Sequence, residues 1–125
     1  MVMKGSGRIR TGRRGEDMAV TYLKNMGYRI IERNYKCLFG EIDIIAKDRD
    51  TVVFVEVKSR KSEDFGDPQT AVGWEKKRKI SMTSLKYLEE KHLYPCDARF
   101  DVVAIKILPA GNTIELIQNA FELAF

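Results

Sequence analysis

Gly40-Glu-Ile-Asp-Ile-Ile-Ala46 and Val52-Val-Phe-Val-Glu-Val-Lys58 decide how this chain reads. Both runs alternate with a period of two and are rich in β-branched residues. Asp48-Arg-Asp-Thr51 between them is turn chemistry, so the pair predicts a β-hairpin. With those four residues as the loop, Lys47 faces Val52. Counting back along the ladder sets Asp43 across from Glu56 and Glu41 across from Lys58, with cross-strand Cβ atoms roughly 5 Å apart. Val53, Val55 and Val57 supply the apolar opposite face. Two carboxylates placed face to face repel, which raises one pKa unless a cation lies between them. A hard divalent ion with oxygen ligands, Mg²⁺ or Mn²⁺, removes that cost.

The E-x-K spacing is not decisive alone, because Glu75/Lys77 and Glu89/Lys91 repeat it. Those two fall in a predicted helix, where residues two apart point to different faces. Only Glu56 and Lys58 lie in a strand, where residues two apart share a face. An ordinary ion-pair network of Asp43, Glu56, Lys58 and Glu41 remains the plain alternative to chemistry.

The composition, 44% hydrophobic over 125 residues with no internal Pro/Gly/Ser-rich linker, fits a single domain. No apolar run approaches the roughly 20 residues needed to span a bilayer, and no apolar stretch follows the charged N-terminus. A cytoplasmic protein without membrane contact is expected. Cys37 and Cys96 are far apart and His92 is the sole histidine, so a zinc set is excluded. The net charge of +4 is uneven: Lys4, Arg8, Arg10, Arg13 and Arg14 give residues 1–14 five cations and no acid. With Gly5, Gly7 and Gly12 among them, residues 1–14 read as a flexible basic arm ahead of one domain over 15–125. Such an arm suits phosphate binding as well as it suits a solubilising terminus. Lys76-Lys-Arg-Lys79 is a second basic cluster, spread around the start of a helix.

Helical spacing of Ala19, Val20 and Leu23 predicts a first helix over Glu16–Met26, stopped at Gly27. Glu16 shares its inward stripe, either as a first-turn charge favoured by the helix dipole or as an acid aimed at the sheet. A strand over Tyr28–Tyr35 precedes the hairpin. A loop over 61–73, a usual place for substrate contacts, follows it. Trp74 to about Lys91 reads as a second helix with Ile80, Leu85, Tyr87 and Leu88 inward. Phe100–Ile107 is a strand covered on both sides, and Thr113–Gln118 a short final strand.

The order α-β-β-β-α-β, with Asp and E-x-K on the second and third strands, resembles the restriction-endonuclease-like PD-(D/E)XK superfamily: an α/β core with a mixed central sheet flanked by helices. Gly15-Glu16, Gly40–Ala46, Phe54-Val-Glu-Val-Lys-Ser-Arg60, Ala71-Val72 with Lys77, and Arg99-Phe-Asp-Val-Val103 together resemble the YraN-like family of uncharacterised bacterial proteins, itself similar to archaeal Holliday-junction resolvases. The resemblance implies a nuclease dependent on Mg²⁺ or Mn²⁺. Asp43 and Glu56 would be the metal-binding acids with the Val57 carbonyl, Lys58 the active-site lysine and Glu16 the helix-one carboxylate. Gln69 corresponds weakly to a loop polar residue of some relatives, since Gly73 stands where their helical tyrosine is expected.

A phosphodiester resists hydrolysis because its charge repels the nucleophile, so cleavage needs a cation on the non-bridging oxygen and an activated water. Lys58, on the acids' face, is placed to orient or deprotonate that water or to stabilise charge on the phosphorane, and the neighbouring acids favour the electrostatic role. Arg8, Arg10, Arg13, Arg14, Lys76, Lys77 and Gln69 are the candidate nucleic-acid contacts. DNA, including branched repair intermediates, is the expected substrate, and a homodimer is a further implied partner. The alternative is a non-catalytic nucleic-acid-binding module on the same fold.

Overall fold

The computed structural model describes residues 3–61, 72–93 and 95–124, with side chains from Arg14 to Arg60 in the first segment. The elements are α1 (Met3–Asn25), β1 (Arg29–Cys37), β2 (Gly40–Asp48), β3 (Thr51–Lys61), α2 (Trp74–Glu90), β4 (Ala98–Ile107) and β5 (Thr113–Phe121). The strands form one mixed sheet in the order β1-β2-β3-β4-β5. All neighbours are antiparallel except β3 and β4, which run parallel because α2 carries the chain between them. Among the described residues no helix is long and apolar enough to cross a membrane.

Each face of the sheet closes over its own apolar cluster. Ala19, Val20 and Leu23 of α1 pack with Ile44, Ala46, Val53, Val55, Val103 and Ile105. Ile80, Tyr87 and Leu88 of α2 pack with Ile42, Ile45, Val52, Phe54, Phe100 and Val102 on the other face. Residues of β3 and β4 thus alternate between the two clusters, and their nearly continuous apolar runs follow from burial on both sides. Val53, Val55 and Val57 face α1, as the alternation requires.

The hairpin register is the expected one, Lys47 opposite Val52, although Asp48 and Thr51 also pair and leave Arg49-Asp50 as the turn. Three sequence expectations need correction, and some of the named residues lie outside those described. Helix α1 begins at Met3 and takes in most of the stretch read as an arm. That stretch contains no proline, and glycine weakens a helix without forbidding it. The side chains of Arg8, Arg10 and Arg13 lie outside those described. Gln69, with residues 62–71 of the predicted loop, also lies outside the described residues. Leu85 is half-buried rather than inward, and lines a shallow cleft with Phe39, Met82, Lys86 and Glu89. Glu41 pairs with Lys36, its β1 partner, at 3.8 Å instead of facing Lys58, so the four-residue ion-pair network does not form.

Candidate metal and catalytic centre

Asp43 sits where β2 parts from both neighbours. The β2–β3 ladder ends at Ile44–Val55, one step before Asp43 would meet Glu56. On the other side, pairing with β1 passes from Arg33–Ile44 to Tyr35–Ile42 and skips Asn34 and Asp43. Asn34 has φ +54°, a left-handed conformation that asparagine tolerates better than most residues and that turns its peptide out of the ladder. Ile42 packs toward α2 while Ile44 packs toward α1, so β2 changes faces across Asp43. The result is a notch that acids from both sides of the sheet can reach.

Asp43 Oδ2 accepts the Val57 N–H at 2.8 Å. Burial, then the charge of Glu56 and that of Glu16, push the Asp43 carboxyl up to about 7, against the lowering pull of the Val57 N–H and Lys76. Glu56 is 6% exposed. Its Oε1 lies 3.1 Å from Lys76 Nζ of α2 and 3.8 Å from Lys58 Nζ on its own strand. Burial opposes the Lys76 charge, but the Glu56, Asp43 and Glu41 carboxylates outweigh it and hold the ammonium above the usual lysine range.

Glu16 reaches the notch from α1. It lies in the middle of that helix, so the first-turn dipole reading falls and the alternative, an acid aimed at the sheet, holds. Its Oε1 accepts Asn34 Nδ2 at 3.0 Å and Arg33 Nη2 at 3.3 Å, while Arg33 also grips Asp17 at 2.7 Å. Gly15 makes this approach possible. A Cβ there would lie 2.5 Å from Ser59 Oγ of β3, so a side chain would force α1 or Ser59 to shift.

Asp43, Glu56, Lys58 and Glu16 therefore share one electrostatic neighbourhood, with Val57 entering through its amide. Lys76 joins them directly. Lys77 instead lies 5.7 Å over the Phe121 ring, and Arg14 is exposed and lines a cleft with Asp17 and Met18 of α1 and Ile114 of β5. Arg33 and Asn34 were missed from sequence: a polar pair inside a strand reads as a solvated face, and nothing local marks Asn34 as left-handed. Arg60 was also missed. It continues the Glu56–Lys58 row at period two, and its buried Nε has no hydrogen-bond partner among the described residues.

Among the described residues no three His, Cys, Asp or Glu side chains lie close enough to hold an ion by themselves. Asp43 and Glu56 would contribute two hard oxygen ligands. That set suits Mg²⁺ or Mn²⁺, which keep several waters and are held by one or two carboxylates together with substrate phosphate.

The Asp43 shift has a measurable consequence for stability. The folded state keeps a proton on Asp43 between its ordinary value, 3.8, and about 7, where the unfolded chain has lost it. Stability conferred by that proton is present at low pH and is lost as pH rises through this window, with a slope of up to about 1.4 kcal/mol per pH unit. Asp43→Asn should flatten the slope in metal-free thermal melts from pH 4 to pH 8. An unchanged slope would assign the loss to another group.

The chain's relatives agree with the sequence resemblance at family level. The uncharacterised protein family UPF0102 matches residues 15–105. A UPF0102 protein of Syntrophus aciditrophicus is 57% identical over 100% of this chain and 98% of its own. One of Geobacter sulfurreducens is 52% identical over 91% of this chain and 90% of its own. A third, of Pelobacter propionicus, is 48% identical over 92% and 84%. On these matches the chain belongs to UPF0102, the YraN-like family.

Proposed function

We propose that this protein is a divalent-metal-dependent nuclease of the PD-(D/E)XK type that hydrolyses phosphodiester bonds in DNA. The observation that carries the reading is the convergence of Asp43, Glu56, Glu16 and Lys58 at the notch, where burial first and then the charges of Glu56 and Glu16 raise the Asp43 carboxyl to about 7. Glu56 has the Lys76 and Lys58 ammoniums as partners and Glu16 has Arg33, but Asp43 is met only by the Val57 N–H and has no cation of its own within ion-pair distance among the described residues. The charge of Glu56 still raises the Asp43 carboxyl despite the Lys76 ammonium beside it, a repulsion that a bound cation would relieve.

Asp43 and Glu56 would hold Mg²⁺ or Mn²⁺, with the Val57 carbonyl as a backbone ligand. When bound, the cation supplies Lewis acidity toward a phosphoryl oxygen and toward an attacking water. The Val57 N–H fixes one oxygen of Asp43 and so aims the other. Lys58, with its side chain 23% exposed, brings a positive charge to the edge of the notch, where charge develops on the phosphorane. Arg33 and Asn34 lock Glu16, which then orients a water without turning away from the sheet. Lys76 of α2 places positive charge beside these acids.

The test is a panel of flap, junction, single-strand and duplex DNA incubated with Mn²⁺, with Asp43→Asn purified identically as the control. Cleavage of at least one substrate by the wild type alone is the expected result. Binding with a steep salt dependence and no cleavage with any divalent metal would replace the nuclease with a binding module.

A further inference from the structure

Lys76 does more in this structure than supply positive potential. Its ammonium lies closer to Glu56 Oε1 than that of Lys58, 3.1 Å against 3.8 Å, and it comes from a different element. Glu56 is nearly buried, whereas the Lys76 side chain is 49% exposed. One end of the pair is fixed in the sheet and the other is a long, rotatable arm reaching in from the first turns of α2. A divalent cation bound to Glu56 would bring two further positive charges to the carboxylate that the ammonium now contacts. The two cations repel at that distance, so they compete for the carboxylate.

We propose that Lys76 is a positioning residue that serves as the resident counter-ion of Glu56, is displaced when the metal binds, and then turns to the phosphate of the substrate. This rests on the metal site proposed above and adds a thermodynamic signature to it. Lys76 lowers metal affinity in the free protein, and a phosphodiester raises it again by giving the ammonium another partner. By linkage, metal and nucleic acid then bind with positive coupling that passes through this one side chain. The same arrangement keeps the two acids from being left without a counter-charge before substrate arrives, because the ammonium stays until it is exchanged.

Calorimetric titration of Mn²⁺ into the full chain at pH 8 tests this. Lys76→Met, which keeps the stem and removes the charge, should bind Mn²⁺ roughly tenfold tighter than the wild type. Lys58→Met should change affinity less. A single-stranded phosphorothioate oligodeoxynucleotide should tighten Mn²⁺ binding to the wild type, and do so much less for Lys76→Met. Asp43→Asn combined with Lys76→Met should lose binding, which locates the ion. Lys76→Gln serves in the same role, and melting curves confirm that each variant is folded. Unchanged or weaker Mn²⁺ binding in both Lys76 variants overturns the proposal, as does equal coupling to the oligonucleotide with and without the lysine. Tighter binding in the variants with no cleavage of any DNA by the wild type would uphold the counter-ion role while rejecting the nuclease. Absence of Mn²⁺ binding to wild type and variants alike would reject both.

Discussion

Asp43→Asn is expected to reduce Mn²⁺-dependent DNA cleavage by on the order of 10³-fold or more while leaving the protein folded. The substitution keeps the shape of the side chain. Its amide oxygen can still accept the Val57 N–H, now found at 2.8 Å from Asp43 Oδ2. The charge is what disappears, and with it half of the carboxylate pair proposed to hold the cation. At neutral pH the fold should lose nothing, because the native acid sits there against burial and against the charges of Glu56 and Glu16. Activity and stability should therefore move independently, which is the signature of a site rather than of a structural ion pair. Lys58→Ala should cost roughly 10²- to 10³-fold for a different reason, the loss of charge beside the phosphorane. Cleavage time courses with a chelator control, alongside melting temperatures, measure both. Wild-type rates from Asp43→Asn would show that the observed cleavage comes from elsewhere.

Asp101→Ala is expected to destabilise the protein by about 3–5 kcal/mol, a large part of the total for a domain of this size. Asp101 is fully buried and lies near the start of β4. It accepts the Tyr28 hydroxyl at 3.0 Å, Arg99 Nε at 3.0 Å and the Asn119 N–H at 2.9 Å. Arg99 also binds Asp48 at 2.9 Å and stacks its guanidinium 5.6 Å from the Tyr28 ring centre. Gln118 donates to the Tyr28 hydroxyl at 2.8 Å. This network ties α1, through the chain at Tyr28, to the β2–β3 turn and to β5. Removing Asp101 takes the acceptor from the Tyr28 O–H and the Asn119 N–H and leaves part of the Arg99 charge uncompensated. Chemical denaturation should show a lower midpoint, with Tyr28→Phe costing only about 1 kcal/mol. A change below 1 kcal/mol for Asp101→Ala would mean that water or a shifted Arg99 satisfies the network.

The hairpin and the shared face of Glu56 and Lys58, opposite Val53, Val55 and Val57, were legible because period-two patterning and turn chemistry are local signals, strong over seven or eight residues. The notch was not legible. The sequence count placed Asp43 on a regular ladder, whereas the structure opens the ladder there through the left-handed Asn34 on a neighbouring strand. No pattern within the hairpin encodes that. Lys76 was recognisable as a cation but not as a partner of Glu56, since the pairing depends on how α2 crosses the sheet. Glu16 posed the opposite difficulty. Its inward stripe was readable, and the choice between dipole and sheet turned on where the helix starts, a boundary that glycine-rich basic sequence marks poorly. Asp101 hid inside an apolar run. The only hint was Arg99 two residues earlier, on the same face of the strand.

Both outermost strands of the sheet carry kinks. The β1–β2 register shifts between Ile30 and Glu32 and skips Asn34, and the β4–β5 register shifts between Phe100 and Val102 opposite Asn119, which also has positive φ. A kinked border throws its unpaired amides and carbonyls out of line, so a straight segment of another molecule loses spacing after a few bonds. Sheet growth from one molecule to the next, the first step toward fibrils, is blunted at both borders. The molecule can therefore display the greasy Leu38–Phe39 hairpin tip without also offering a template for stacking.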